Sequence, residues 1–167
     1  MKKSKSSAIV AGSFDPVTKG HMYLIDYAAG HYEKVWAVIF VNDQKDYMFS
    51  MEQRLEMLKA ACAGYENVIV DANEGMQYLY AKEKGITRAI RGYRSPADLS
   101  YEKEIAAFHQ KVYPGYETEL LPCPDGLKNV SSTVVRDFLE EQKDISSLVP
   151  AEILPLIGGF YAENFTS

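Results

Sequence analysis

The sequence predicts a doubly wound α/β domain: a Rossmann-like, five-stranded parallel sheet covered by helices and followed by a C-terminal helical tail. Short β-rich apolar runs alternate along the chain with longer segments whose apolar residues recur at helical spacing. No internal repeat, low-complexity tract or linker interrupts the 167 residues, and 47% hydrophobic content suffices for a real core. The chain therefore reads as one domain spanning residues 1–167.

Residues 1–7 are polar and basic and read as a solvated lead-in. The strand runs are 8–12, 34–41, 67–71, 87–91 and 117–121. Between the first two, Met22, Ile25, Ala28 and Ala29 form one helical stripe, and Met51, Leu55, Leu58 and Cys62 form the next. Ser50 and Gln53 fit a capping box opening that second helix. Residues 76–84 and 96–112 are also expected to be helical, with Pro96 in a first turn where its missing N–H does no harm. The segment P-C-P-D-G-L-K-N reads as a loop, and Ser131 and Ser132 open another helix. Pro150 and Pro155 then punctuate the tail. Ligands of such a fold bind beyond the C-terminal ends of the strands, near the point where strand order reverses.

Charge limits the partners. Eighteen Lys and Arg against 23 Asp and Glu give a net charge of -5, which argues against a nucleic-acid backbone as ligand. Arg88, Arg91 and Arg94 are the one local basic cluster able to meet a small anion. Cys62 and Cys123 lack metal or redox spacing and read as free thiols in a reducing compartment. The apolar run behind the basic N-terminus is too short for a signal-peptide core or a membrane span, so a cytoplasmic location is expected. His31 and His109 have no neighbours at metal spacing, and no metal role is assigned to them.

The first strand runs into G-S-F-D-P-V-T-K-G-H, Gly12 to His21, with His21 opening the first helix. A glycine at each end lets backbone approach a ligand, and a helix N-terminus offers free N–H groups and partial positive charge to phosphate. The spacing is neither that of a P-loop nor that of a dinucleotide fingerprint.

The strand, G-S-F-D-P-x-T-x-G-H and helix together resemble the T/H-x-G-H nucleotidyltransferase superfamily, and within it the bacterial phosphopantetheine adenylyltransferases. Four more blocks match in order. Lys45 with Met48 to Arg54 resembles K-x-x-M-F-S-x-E-x-R, and Ile90 to Arg94 resembles I-R-G-x-R. Asp98 with Tyr101 and Glu102 resembles D-x-x-Y-E, and Val130 to Thr133 resembles I-S-S-[ST].

The resemblance implies transfer of the adenylyl group of ATP to 4'-phosphopantetheine, with dephospho-coenzyme A and pyrophosphate as products and Mg²⁺ accompanying ATP. The acceptor phosphate is already largely ionised at neutral pH, its second pKa being about 6, so positioning and charge stabilisation matter more than a base. His21 is then the catalytic residue at the α-phosphate. Ser13, Lys45, Gln77 and Arg91 are implied on the acceptor side. Ser13, the Phe14 amide, Gly92, Tyr93, Arg94 and Glu102 are implied at ATP, with Leu127, Lys128, Asn129, Val130, Ser131, Ser132 and Thr133 completing that side. The resemblance further implies a homohexamer and coenzyme A as a feedback ligand, while the sequence itself gives no expectation of a nucleic-acid partner, a membrane span or a dedicated carboxylate cage for a metal. Trp36 and the Tyr-rich helices would supply subunit contacts.

Taken alone, Lys45 and Arg88 read as solvated charges, and Glu102 as a surface partner of Lys103 or Lys84. Tyr78, Tyr80, Tyr93 and Tyr101 read as core-edge or subunit-contact rings. Ala11, Ser100, His109 and Leu127 depart from the family pattern, which usually has Pro, Glu, Asn and an aromatic residue there. His109 lies seven residues past Glu102, on the same helix face; as a free side chain it would titrate near 6.5. Two alternatives remain: a sister enzyme with another phosphate acceptor such as nicotinate mononucleotide, which the I-S-S-T-x-[IV]-R-like 130–136 segment approaches, or a non-catalytic nucleotide-binding homologue.

Overall fold

A computed structural model describes residues 4–41 and 45–165. Its strands are β1 (Ser4–Gly12), β2 (Tyr32–Phe40), β3 (Val68–Asn73), β4 (Arg88–Tyr93) and β5 (Glu117–Pro122). All pairings are parallel and the sheet order is β3-β2-β1-β4-β5, so strand order reverses between β1 and β4. The helices are α1 (Lys19–His31), α2 (Met51–Cys62), α3 (Gln77–Lys84), α4 (Pro96–Val112), α5 (Ser132–Glu140) and α6 (Leu154–Phe165). Short 3-10 turns at Asp125–Leu127 and Ala151–Ile153 lead into the last two.

Alternation along the strands feeds two cores, because successive side chains point to opposite faces. Ala8 and Val10 of β1 with Val35, Ala37 and Ile39 of β2 face the core shared with Ile25 of α1, Met57 and Leu58 of α2, Val135 of α5 and Ile157 of α6. Ile9 and Val38 face the other way, joining Tyr80 and Ala81 of α3 and Tyr116 in a smaller cluster. The second face is less completely covered. Met76, Leu79, Tyr101 and Phe108, at or near α3 and α4, remain exposed.

Element order and type agree with expectation, but several ends move. β1 starts at Ser4, so residues 4–7 are not a lead-in: Ser4 and Ser7 pair with Tyr32 and Lys34 of β2. Backbone pairing does not require apolar side chains, which is why the polar residues gave no strand signal; residues 1–3 lie outside the described residues. β4 continues past Arg91 to Tyr93 through pairing with Leu121 and Pro122. His21 does not open α1. Thr18 is the N-cap, and His21 is the third helical residue. The Ser50–Gln53 capping box forms as expected, and Ser131 caps α5 by accepting from the Val134 N–H. Both cysteines are free. Among the described residues no helix is long and apolar enough to cross a membrane.

Candidate active site

Two cavities lie at the C-terminal ends of the strands, near the reversal between β1 and β4. The larger, about 430 Å³, is floored by Thr18, Gly20 and His21 of the β1–α1 turn and walled by Gly92, Tyr93 and Arg94 at the end of β4. Tyr101 and Glu102 of α4 form another side, and Leu127, Val130, Ser131 and Ser132 close it beside α5. The smaller, about 200 Å³, lies toward β2 and is lined by Gly12, Ser13, Phe40, Gln77 and Arg91 among others.

The capping of α1 determines the state of His21. The Thr18 backbone N–H donates to His21 Nδ1 at 3.0 Å, while the His21 N–H donates back to Thr18 Oγ1 at 3.3 Å. A backbone N–H can only donate, so Nδ1 is an acceptor and the imidazole proton sits on Nε2. Burial, and secondarily the positive charge of Arg94, push the His21 pKa down to about 4. At neutral pH His21 is therefore an uncharged ring with one N–H donor. Phe14 supports it, ring centroid to ring centroid, at 4.6 Å.

The loop from Ser13 to Pro16 is held from two directions. Both carboxylate oxygens of Asp15, a residue 3% exposed, accept backbone N–H groups from the approach to α2: Met48 at 2.9 Å and Phe49 at 3.0 Å. Arg54, equally buried, donates from Nη1 to the Ser13 carbonyl at 2.9 Å and from Nε to the Phe49 carbonyl at 3.1 Å. From the α5 side, Arg136 donates to the Asp15 carbonyl at 2.7 Å and Ser132 Oγ to the Pro16 carbonyl at 2.8 Å. Phe14 has φ 48°, a left-handed backbone uncommon for a bulky residue; such conformations persist where surrounding contacts over-determine them.

Arg91 and Glu102 separate the cavities. Their bidentate ion pair joins Arg91 Nε to Glu102 Oε2 and Arg91 Nη2 to Glu102 Oε1, the latter at 3.0 Å. Behind it on α4, His109 is buried against the rings of Tyr78, Phe108 and Tyr116, and its Nδ1 has no hydrogen-bond partner among the described residues. Burial, then Arg91, lower its pKa, against an opposing pull from Glu102. Gln77 Nε2 donates to the Tyr116 hydroxyl at 2.9 Å, linking the smaller cavity to this cluster.

Most of the expected site residues thus converge. His21, Gly92, Tyr93, Arg94, Glu102, Leu127, Val130, Ser131 and Ser132 line the larger cavity, and Ser13, Gln77 and Arg91 the smaller. Arg94 Nη2 also donates to the Val130 carbonyl at 2.7 Å, tying the β4 end to the approach to α5. Lys45 is exposed and lines neither cavity. Lys128, Asn129 and Thr133 are exposed too; Lys128 pairs with Asp125 at 3.0 Å and Thr133 Oγ1 accepts from Arg136.

Several single-residue expectations change. Glu102 pairs with Arg91 and not with Lys103 or Lys84. His109 is buried, and burial lowers its pKa below that expected of the free side chain. The Arg88, Arg91, Arg94 cluster divides, because Arg88 turns to Glu117 at 3.2 Å. Tyr101 lines the larger cavity, whereas Tyr80 is buried and donates to Asp71 at 2.7 Å. Asp15, Thr18, Arg54 and Arg136 build the turn around the site, although the sequence motifs assign them no role. Arg54 carried a signal: it sits three residues after Met51 and four before Leu58, a charge within the apolar stripe of α2.

Comparison with known proteins shows the family to which the chain belongs. The cytidylyltransferase-like family model matches residues 9–147. A phosphopantetheine adenylyltransferase from Shouchella clausii is 35% identical over 146 residues, 87% of this chain and 92% of that one. One from Campylobacter concisus is 37% identical over 150 residues, 90% and 96% of the two chains. A crystal structure from Vibrio parahaemolyticus, described as a nicotinate-nucleotide adenylyltransferase, superposes with a TM-score of 0.68 over 96% of this chain and 97% of that one. At 22% identity it speaks to the fold alone.

Proposed function

The chain belongs to the phosphopantetheine adenylyltransferases of the cytidylyltransferase-like family, and from that premise we propose that it transfers the adenylyl group of ATP to 4'-phosphopantetheine, releasing pyrophosphate, with the two cavities holding the two substrates. The observation that carries the assignment of roles is His21: a neutral imidazole with its proton on Nε2, at the floor of the larger cavity where β1 and β4 diverge.

In this reading ATP occupies the larger cavity and the acceptor phosphate approaches from the smaller. An acceptor oxygen forms a bond to the α-phosphorus as the bond to the bridging oxygen of pyrophosphate breaks. Negative charge builds on the α-phosphate oxygens, and the His21 Nε2–H donates to one of them. A fixed neutral donor needs no proton transfer to act, and removing such a donor typically costs about 3 kcal/mol of transition-state stabilisation. Arg94, the Ser131–Ser132 helix start and the Phe14 amide serve the polyphosphate. Ser13, Gln77, Arg91 and Lys45 serve the acceptor, and Glu102 holds the Arg91 guanidinium in a fixed plane.

Mg²⁺ brought by ATP would offset triphosphate charge. Among the described residues no group of three or more His, Cys, Asp or Glu side chains is arranged to hold a metal ion. We also assign the chain to the cytoplasm and to a homohexamer subject to feedback by coenzyme A. The exposed apolar residues Met76, Leu79 and Phe108 support burial between subunits, and the net charge of -5 supports small-molecule rather than nucleic-acid partners.

The test is pyrophosphate release from ATP with a panel of phosphorylated acceptors. 4'-Phosphopantetheine should give the highest kcat/KM. Preference for nicotinate mononucleotide would replace the acceptor while leaving the reaction class intact, and no release with any acceptor would point to a binding protein.

A further inference from the structure

Arg54 stands apart from the side chains that line the cavities. It is 3% exposed in the first turn of α2, yet it makes no carboxylate ion pair within hydrogen-bond reach among the described residues. Its donors go to two backbone carbonyls, Ser13 O and Phe49 O, and its guanidinium lies over the Tyr47 ring at 3.9 Å. Burying a guanidinium costs several kcal/mol unless its donors are used. An aliphatic residue on that stripe would leave both carbonyls without this donor.

We propose that Arg54 is a positioning residue for the transfer reaction, aiming the Phe14 amide at the reacting phosphates by holding the Ser13 carbonyl. The argument rests on peptide geometry. The Ser13–Phe14 peptide is planar and trans, so its N–H points opposite to its C=O. Arg54 takes the C=O at 2.9 Å, which turns the Phe14 N–H away from α2. Phe14 is 1% exposed, and no acceptor meets its N–H among the described residues. Buried backbone donors are nearly always satisfied, so one left open beside His21 and Ser13 fits a ligand oxygen. The left-handed φ of 48° at Phe14 is the local cost of this orientation.

Asp15 works from the other side of the same joint. Its carboxylate holds the Met48 and Phe49 amides while Arg54 holds the Phe49 and Ser13 carbonyls, so the two side chains lock the β1–α1 turn to the approach to α2. Lysine could keep the charge at position 54 but not both carbonyls in one plane.

This inference rests on the transferase reading, and the experiment separates the two. In wild-type protein, the ¹⁵N–¹H resonance of Phe14 should shift on addition of inorganic pyrophosphate, whatever the acceptor. In Arg54→Lys, folded as judged by circular dichroism, that shift should shrink and kcat should fall about tenfold or more, with KM for ATP and acceptor changing less than about threefold. In Arg54→Ala, millimolar guanidinium should restore part of kcat. A folded Arg54→Lys with wild-type kcat, or a guanidinium effect on melting temperature without one on kcat, reduces Arg54 to a structural residue and overturns the proposal. So does a Phe14 resonance indifferent to pyrophosphate in the wild type. If the wild type binds pyrophosphate through Phe14 but turns over no acceptor, it is the transferase reading that fails.

Discussion

The Arg91 guanidinium and the Glu102 carboxylate form a bidentate pair that is the partition between two cavities, one residue lining each. Neither charge is fully solvated, the side chains being 26% and 12% exposed, so removing one leaves the other poorly compensated. Glu102→Gln should lower the melting temperature and raise acceptor KM, because the freed guanidinium loses its fixed plane. Steady-state kinetics with a thermal melt will check both. An unchanged acceptor KM would make the pair purely architectural.

Arg91 and Lys45 should differ in degree. Arg91 lines the smaller cavity and Lys45 is exposed on the β2–α2 loop, so Arg91→Lys should weaken acceptor binding at least as much as Lys45→Ala. Calorimetry should find ATP affinity little changed in both. Lost ATP affinity with intact acceptor affinity would put these residues in the other subsite.

His21→Ala should reduce kcat by about a hundredfold or more with little change in KM, since its N–H acts on charge present only in the transition state. As the His21 pKa lies at about 4, kcat should show no inflection from this ring between pH 6 and 8. A wild-type profile with a histidine-like pKa of about 6.5 that vanishes in the mutant would contradict the neutral-donor role.

The lowered pKa values of His21 and His109 also set a stability trend. Between the unfolded value of about 6.5 and the lower folded values, the unfolded chain binds protons that the folded chain does not, so ΔG of unfolding rises with pH there. Stability should be fully present above about pH 6.5 and decline as pH falls toward 4. Urea midpoints at pH 7.5 and 5 will measure it, and the slope should be shallower in His109→Asn. That variant should keep ATP affinity and alter acceptor KM through Gln77 and Arg91.

How far the sequence carried depends on the range of the interactions. Apolar runs and local capping made the sheet, the helices and the Ser50–Gln53 box legible, because those signals lie within a few residues. The strand-end blocks brought Ser13, His21, Arg91 and Arg94 to one rim, since all leave parallel strands at the same end. Asp15 reaching Met48 and Arg136 reaching Asp15 were hidden, being contacts between residues far apart in the chain. Arg88 falls outside the basic group because it opens β4 and pairs with Glu117 at the start of β5, whereas Arg94 lies just past the other end of the strand. Lys45 was placed by its motif alone, and a motif does not fix where a loop side chain rests.

The fasteners of the β1–α1 turn have a consequence for how the protein matures during synthesis. β1 and β2 can pair once the first forty or so residues have left the ribosome, at a rate of about 5–20 residues per second. The turn between them gains Arg54 soon afterwards, but Ser132 and Arg136 join it across separations of 116 and 121 residues. Distant contacts form late because the closure entropy must be overcome first. A nascent chain ending after β5 would carry a complete set of strands with its phosphate-facing turn still loose on one side. Competence to hold ATP should therefore be among the last properties the growing polypeptide acquires, well after its sheet has formed.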